Sequence, residues 1–143
     1  MDIKTRMYVG FGTSFKSEQE AYQSAMRMAK ESGIKVIKIR LDRYYSCQAY
    51  VESLVTDFGE VTPLIIPKTN ATIKGSWQWK KMLSQFVDDT KKYLEDYYQR
   101  NQSESGIAED KKRIGWKLGQ KRLDRIDTAN TLTTMWHNLY WLG

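Results

Sequence analysis

Residues 34–42, IKVIKIRLD, show the strongest regular pattern in the chain, a strict alternation between two sets of side chains. Alternation with a period of two predicts a β-strand whose two faces meet different surroundings. The two faces would hold Ile37, Ile39 and Leu41 on one side and Val36, Lys38, Arg40 and Asp42 on the other. A strand of this kind is stable only within a sheet, so the chain must supply partner strands.

The segments before this strand predict a strand–helix–strand unit. Residues 6–12, RMYVGFG, are rich in β-forming residues, and Ser17 followed by Glu20 has the spacing of a capping box at the start of a helix. That helix would end at Gly33, since glycine favours the backbone conformation that often follows a helix. Two strands joined through a helix are expected to be parallel, with a right-handed crossover.

The rest of the chain predicts one more strand and mostly helical structure. The expected elements are a helix over residues 46–55, a turn over residues 57–59, a strand over residues 62–67, a loop over residues 69–75, a long helix from Ser76 toward Leu118 with a break near Asp88 or Gly106, and a last helix beginning at Asp127 or Thr128. We therefore expect an α/β fold with about three strands, flanking helices and a helical C-terminus. A single domain over residues 1–143 is predicted by the length.

The excess of positive charge is confined to one segment. The chain has 23 basic and 17 acidic residues, a net charge of +6, and residues 111–125 alone contain seven basic residues and one acidic residue. The rest of the chain is therefore neutral. A local basic cluster is typical of proteins that bind a polyanion, above all nucleic acid, although a solvated helix face or loop has the same composition.

Cysteine content and hydropathy exclude several classes of protein. The single cysteine, Cys47, cannot form an internal disulfide or a cysteine-rich metal site, which favours a reducing, cytoplasmic environment. The longest apolar runs, such as residues 64–66, are too short for a transmembrane helix or a secretion signal. His137 has no second histidine or cysteine at ligand spacing and is interpreted as structural, and Trp136 and Trp141 are expected to pack in the interior.

One row of residues on the predicted long helix combines apolar and charged side chains. Spacings of four and three from Tyr93 give the row Tyr93, Tyr97, Arg100, Glu104, Ile107, Lys111, Ile114 and Leu118. Tyr97, Arg100, Glu104 and Lys111 fall within roughly 60° of arc. If this face is buried, the carboxylate and the two cations need an occupant between them, and a phosphate with its metal ion would compensate all three. The alternative is that the charged residues face water and pair along the helix.

Asp42 is the second candidate carboxylate. Open α/β sheets bind ligands beyond the carboxyl ends of their strands, where Asp42 is expected. Together with Glu104 it would suit one or two Mg²⁺ or Mn²⁺ ions, which prefer hard oxygen ligands and activate water or a 3′-hydroxyl for attack on phosphorus. The alternative is an ordinary aspartate that caps a helix or belongs to a loop.

The spacing from Tyr97 to Lys111 resembles a known signature. Tyr97-x2-Arg100-x3-Glu104-x6-Lys111 matches the Y-(2)-R-(3)-E-(6)-K pattern of a large class of insertion-sequence transposases, and the segments KVIKIRLDRYYS and PLIIPKTNATIKGSWQWK also resemble these proteins. The resemblance implies a ribonuclease-H-like, retroviral-integrase-like catalytic core with an Asp-Asp-Glu metal triad. It also implies phosphodiester hydrolysis followed by strand transfer.

The same resemblance assigns roles to individual residues. Asp42 and Glu104 would bind the catalytic Mg²⁺ or Mn²⁺, and Tyr97, Arg100 and Lys111 would position DNA phosphates near the transposon end. The local charge cluster, rather than the resemblance, suggests that the basic residues that follow would bind the backbone of the same DNA. They are Lys112, Arg113, Lys117, Lys121 and Arg122. The implied partners are therefore transposon-end DNA and target DNA.

The chain departs from the family at its beginning. In the family the first catalytic aspartate lies on the first strand of the core, whereas residues 6–12 would correspond to the third strand. We therefore expect the C-terminal part of a transposase core, which is inactive by itself and prone to self-association through an uncovered surface. The other hypothesis is a non-catalytic nucleic-acid-binding protein or a small α/β interaction protein. The first hypothesis requires Asp42 and Glu104 to approach within roughly 4–6 Å.

Overall fold

The computed structural model describes residues 1–115, 119 and 121–143. In chain order its elements are α1 (Glu18–Glu31), β1 (Lys38–Arg40), a 3₁₀ helix (Arg43–Tyr45), α2 (Gln48–Phe58), β2 (Thr62–Leu64), α3 (Trp77–Asp88), α4 (Thr90–Tyr98), α5 (Asn101–Ile114) and α6 (Leu123–Leu142). The length predicts one domain, and the structure shows two compact units in the chain. Lys35–Arg100 forms the sheet unit, and Met1–Ile34 with Asn101–Gly143 forms the helical unit.

The sheet unit contains a strand–helix–strand arrangement. β1 and β2 pair in parallel, with Lys38 opposite Thr62 and Arg40 opposite Leu64. The chain between them passes through the 3₁₀ helix and α2, which ends at Gly59, where φ is +69°. Parallel strands cannot be joined by a tight turn, so this helical connection is what allows the pairing.

Every buried apolar side chain among the described residues lies in the sheet unit. Those that are almost fully enclosed come from α2, from α3 and from the segment after β2, and are Val51, Leu54, Ile65 and Met82. A further cluster joins Leu64 of β2 to Tyr93 and Tyr97 of α4. α2, α3 and α4 therefore pack around β2, and each enclosed side chain contributes about 1.5–3 kcal/mol by leaving water.

Residues 6–12 do not form a strand, so the predicted pairing of this segment with β1 is wrong. A Cβ at Gly10 or Gly12 would lie 2.5 or 1.9 Å from a backbone oxygen of α1, which means that the two glycines let the segment pass close to that helix. The Tyr8 N–H donates to the side chain of Asn138 at 2.6 Å rather than to a strand. Among the described residues the sheet therefore has two strands instead of about three.

Two predicted helix caps form in the structure. The Ser17 hydroxyl accepts a hydrogen bond from the Glu20 N–H at the start of α1, although the Glu20 carboxylate accepts from Ser14 rather than returning to Ser17. At the start of α3 the Ser76 hydroxyl accepts from the Trp79 N–H. Each cap satisfies an N–H that the helix itself cannot pair, which explains why these starts are readable in the sequence.

The predicted long helix is divided into α3, α4 and α5. Asp89 ends α3 and caps α4 by accepting from the Lys92 N–H at 3.0 Å, so the predicted break near Asp88 is confirmed. A second break follows Tyr98, and Gly106, the other position considered for the break, lies inside α5. A Cβ at that glycine would lie 2.4 Å from the Met1 methyl group, so the small residue leaves room for the Met1 side chain.

A polar cluster occupies the centre of the helical unit. His137 is 1% exposed, its Nδ1 lies 2.8 Å from Asp110 Oδ1, and its Nε2 donates to the Arg6 carbonyl at 2.8 Å. The Tyr8 hydroxyl donates to the other oxygen of Asp110 at 3.0 Å, and burial together with this bond raises the pKa of Tyr8. His137 thus joins α6 to α5 and to the N-terminal segment, which agrees with its interpretation as structural.

α6 carries apolar side chains on more than one face. It begins at Leu123, earlier than predicted, and Trp136 is 63% exposed, so the predicted interior packing of that residue is wrong. Trp141 is partly buried, with the Arg6 guanidinium 4.2 Å from its ring centroid. No helix in the described part of the chain combines the length and the apolar content needed to cross a membrane.

Candidate functional site

Asp42 lies just beyond β1, at the carboxyl edge of the sheet, as the sequence predicts. Its Oδ1 accepts a hydrogen bond from the Tyr44 N–H at 2.9 Å, which caps the 3₁₀ helix. The capping alternative is therefore confirmed. The side chain is still 54% exposed, so the second carboxylate oxygen is available to a neighbour.

Arg100 is that neighbour. Its Nη2 lies 3.6 Å from Asp42 Oδ2, and its guanidinium lies 5.7 Å from the centroid of the Tyr97 ring. Tyr97 is buried on α4, and burial raises the pKa of its hydroxyl although the Arg100 charge opposes that shift. Asp42 thus meets two predicted site residues that lie more than 50 positions later in the sequence. The Tyr97 ring lies beside the Arg100 cation, which in turn lies next to the Asp42 carboxylate.

Two cations of β1 hold α4 in place. The Asp96 carboxylate of α4 forms ion pairs with Lys38 and Arg40, and the Arg40 Nε–H also donates to the Asp96 carbonyl at 2.7 Å. Burial of Asp96 by itself would raise its pKa, but the hydrogen bonds and charges of the two cations outweigh burial and lower it. Asp96 is not among the residues predicted from the sequence. Lys38 and Arg40, two basic residues on one face of a half-buried strand, were the signal that an acidic partner lies nearby.

Glu104 and Lys111 lie on α5, in the helical unit, and both are exposed. The buried positions of α5 are Gly106 and Asp110, so the interpretation of Glu104 and Lys111 as members of a buried row is wrong. The predicted row required one continuous helix beyond Tyr93, and the structure ends α4 at Tyr98 and begins α5 at Asn101.

The carboxylates described here do not complete a metal site. Asp42 and Glu104 belong to different units, so the site predicted for the pair stays a prediction. Among residues 1–115, 119 and 121–143, no group of three or more His, Cys, Asp or Glu side chains is placed to hold an ion. The Asp42 carboxylate is also engaged by a backbone N–H and by Arg100. Within the sheet unit, an ion at Asp42 would therefore need further ligands and would compete with the Arg100 contact.

The basic segment is partly neutralised within the helical unit. Arg113 lies 3.5 Å from Glu109 and its guanidinium lies 3.9 Å from the centroid of the Tyr140 ring. Arg122 pairs with Asp124 at 2.9 Å. Glu109 lies just before the basic segment and four residues before Arg113, which is the spacing of a helical ion pair.

The other cations predicted to bind DNA differ in their exposure and in their ion pairs. Lys112 and Lys121 are exposed, and Lys117 lies outside the described residues. The exposed lysines are placed to contact a polyanion, whereas Arg113 and Arg122 would first have to leave their carboxylate partners. The roles of all these residues in DNA binding stay predictions.

Comparison with known proteins connects the chain to one group. It is 39% identical over 140 residues to the probable transposase for insertion sequence element ISA1214 of Archaeoglobus fulgidus, a match that covers 98% of this chain and 42% of the relative. No family model matches the chain. No solved structure matches it either. This similarity agrees with the resemblance found in the sequence, and the chain spans 42% of the length of that probable transposase.

Proposed function

We propose that this chain forms a DNA-binding part of an insertion-sequence transposase, in which Arg100 holds a DNA phosphate beside Asp42. The observation that supports this most directly is the meeting of Tyr97, Arg100 and Asp42 at the carboxyl edge of the sheet. Arginine stacked on an aromatic ring is a rigid, always charged donor that suits a phosphate. The name of the Archaeoglobus relative supports the same conclusion.

The fold and the reaction are part of the proposal. A parallel strand–helix–strand unit with an aspartate after its first strand suits a ribonuclease-H-like core. Transposition by phosphodiester hydrolysis and strand transfer is proposed for a protein that contains this chain, acting on transposon-end and target DNA in the cytoplasm. Mg²⁺ or Mn²⁺ binding by Asp42 and Glu104 belongs to that proposal, and the chain by itself is expected to bind DNA without cleaving it.

The test is DNA binding by the purified chain. A fluorescently labelled duplex is titrated at several salt concentrations, and we expect binding that weakens with salt and has a Kd of about 10⁻⁴–10⁻⁶ M near physiological salt. Substitution of Arg100→Gln is expected to weaken binding and to lower the slope of log affinity against log salt by about one, because one phosphate contact is lost.

Lys91→Gln is the matched control, because it removes one positive charge from an exposed position of α4 in the same unit. It should leave the salt slope unchanged. A wild-type chain that does not bind duplex DNA would contradict the proposal and favour a small interaction protein. Equal effects of the two substitutions would show that Arg100 contributes only net charge.

A further inference from the structure

A cavity of about 330 Å³ opens in the sheet unit between the start of α2, the loop after β2 and the start of α3. Its wall includes Ser46 and Cys47 before α2, Lys68 and Lys74 from the loop, and Trp79 of α3. Both connecting segments follow strand ends, so the cavity lies where open α/β sheets bind ligands.

Ser46 contributes a hydroxyl without a partner. The residue is 5% exposed, and its Oγ is buried and has no hydrogen-bond partner among the described residues. A buried hydroxyl left unpaired costs about 1–3 kcal/mol, so such groups are usually satisfied by a ligand or another polar group. Ser46 lines the cavity, which makes a ligand in the cavity a natural partner.

The start of α2 adds donors at the same place. Cys47 occupies the N-cap of this 11-residue helix, and its side chain makes no capping hydrogen bond. The first N–H groups of a helix have no partner within it, and the helix dipole places partial positive charge there. An uncapped helix start therefore attracts an anion.

The loop completes a positive and well-fixed wall. Lys68 and Lys74 line the cavity, and no acidic residue is among those that line it. The Trp79 indole N–H donates to the Thr72 carbonyl at 2.8 Å, and the Ala71 N–H donates to the Lys68 carbonyl at 2.9 Å, so the loop conformation is fixed before any ligand arrives. Such preorganisation lowers the entropy lost on binding.

We propose that this cavity is a phosphate-binding site, formed by the Ser46 hydroxyl, the start of α2 and the two lysines. The phosphate belongs either to the DNA backbone or to a free phosphate compound. In the first case the inference rests on the proposed function and adds a second phosphate contact to that made by Arg100.

Cys47 offers a direct probe, because it lines the cavity and is the only cysteine of the chain. The alkylation rate of Cys47 by iodoacetamide is measured with inorganic phosphate, with a DNA duplex and with chloride at equal ionic strength. Phosphate is expected to slow alkylation in the wild type and in Lys91→Gln, but not in the double variant Lys68→Gln/Lys74→Gln. The double variant should also bind the duplex about tenfold more weakly than Lys91→Gln.

These measurements distinguish the two sources of phosphate, and they distinguish this proposal from the proposal for Arg100. Protection by the duplex together with weaker binding by the double variant identifies the DNA backbone, and protection by inorganic phosphate alone identifies a free phosphate compound. No protection by either probe overturns the site, even where the wild type binds DNA and the Arg100 proposal holds. Ser46→Ala should reduce protection without lowering thermal stability, and a loss of stability would show that the hydroxyl has another partner.

Discussion

The Asp42 carboxylate divides its two oxygens between a local and a distant partner. One oxygen accepts from the Tyr44 N–H, and the other faces Arg100 at 3.6 Å. The capping bond limits the rotation of the side chain, which keeps the second oxygen near the guanidinium. A phosphate that arrives at Arg100 would meet this carboxylate, so a cation between the two would favour close approach.

Tyr93 shows how one buried hydroxyl can complete a backbone pairing. Its hydroxyl accepts from the Ile65 N–H at 2.9 Å and donates to the Ile65 carbonyl at 3.0 Å, just beyond β2. Ile65 is fully enclosed, so water cannot replace either bond. The Tyr93 hydroxyl therefore pairs the backbone N–H and carbonyl of Ile65, which would otherwise be buried without partners.

Tyr93→Phe should lower the free energy of unfolding by about 2 kcal/mol, because both polar groups of Ile65 would stay buried without partners. Denaturant unfolding measures the change. Tyr98→Phe is the control, since this tyrosine of the same helix is 52% exposed and should change stability by no more than about 0.5 kcal/mol. Equal effects in both variants would contradict the role of the Ile65 bonds.

The same environment has a consequence at high pH. Burial raises the pKa of Tyr93 to about 12, which means that the folded state retains a proton that the unfolded chain loses near pH 10. The stability linked to this hydroxyl is complete below about pH 10 and is lost as the pH rises toward 12. Titration of tyrosinate absorbance should therefore show one group fewer at high pH in Tyr93→Phe.

At the scale of whole elements, α4 is attached to β1 by charge as well as by its apolar face. Tyr93 and Tyr97 face the apolar cluster beside β2, and Asp96 reaches Lys38 and Arg40 on the neighbouring strand. The apolar contacts and the ion pairs both hold the C-terminal end of α4, and Arg100, which contacts Asp42, follows that end. The helix is therefore oriented by two independent sets of contacts.

Asp96→Asn should destabilise the chain at neutral pH by about 1–2 kcal/mol, because two charge-assisted pairs are weakened. The two cations lower the Asp96 pKa. The stabilisation from these pairs is therefore complete at pH values above the ordinary pKa of an aspartate, and it is lost as the pH falls through the lowered pKa of Asp96. Urea unfolding at neutral and acidic pH measures the difference, which should vanish in acid.

The control for this substitution is Glu95→Gln, an exposed acid beside Asp96 on the same helix. It should have little effect at either pH, as exposed ion pairs contribute little. A loss of stability in Asp96→Asn that is the same at both pH values would indicate that packing, and not charge, is responsible.

For the whole molecule, the two units differ in what stabilises them. The sheet unit holds all of the buried apolar side chains found among the described residues, whereas the helical unit encloses Asp110 and His137. In the helical unit, α6 leaves large apolar residues exposed at helical spacing, namely Leu132, Met135, Trp136, Leu139 and Leu142. A contiguous exposed apolar face commonly serves association with another surface.

We expect the purified chain to self-associate with increasing concentration through this face of α6. Light scattering after size-exclusion chromatography measures the mass, and the double substitution Trp136→Glu/Leu139→Glu should shift the chain toward the monomer. Thr128→Glu, which adds charge at an exposed polar position of α6, should leave the mass unchanged. A monomer at every concentration in the wild type would refute the prediction.

Several parts of this molecule depend on residues close together in the sequence and were predictable for that reason. The caps at Ser17 and Ser76, the break near Asp88 and the strand that precedes Asp42 need only groups within a few residues of each other. The resemblance to transposases was likewise found from spacing, and the chain is 39% identical over 140 residues to the Archaeoglobus protein.

Other features were decided only by the tertiary structure. Residues 6–12 have the composition of a strand, but they form no strand in the structure and pass close to α1 at Gly12. The contact of Arg100 with Asp42 and that of His137 with Asp110 join groups far apart in the chain. Local sequence sets which conformations a segment prefers, but the partner of a buried polar group is chosen by the packing that excludes water around it.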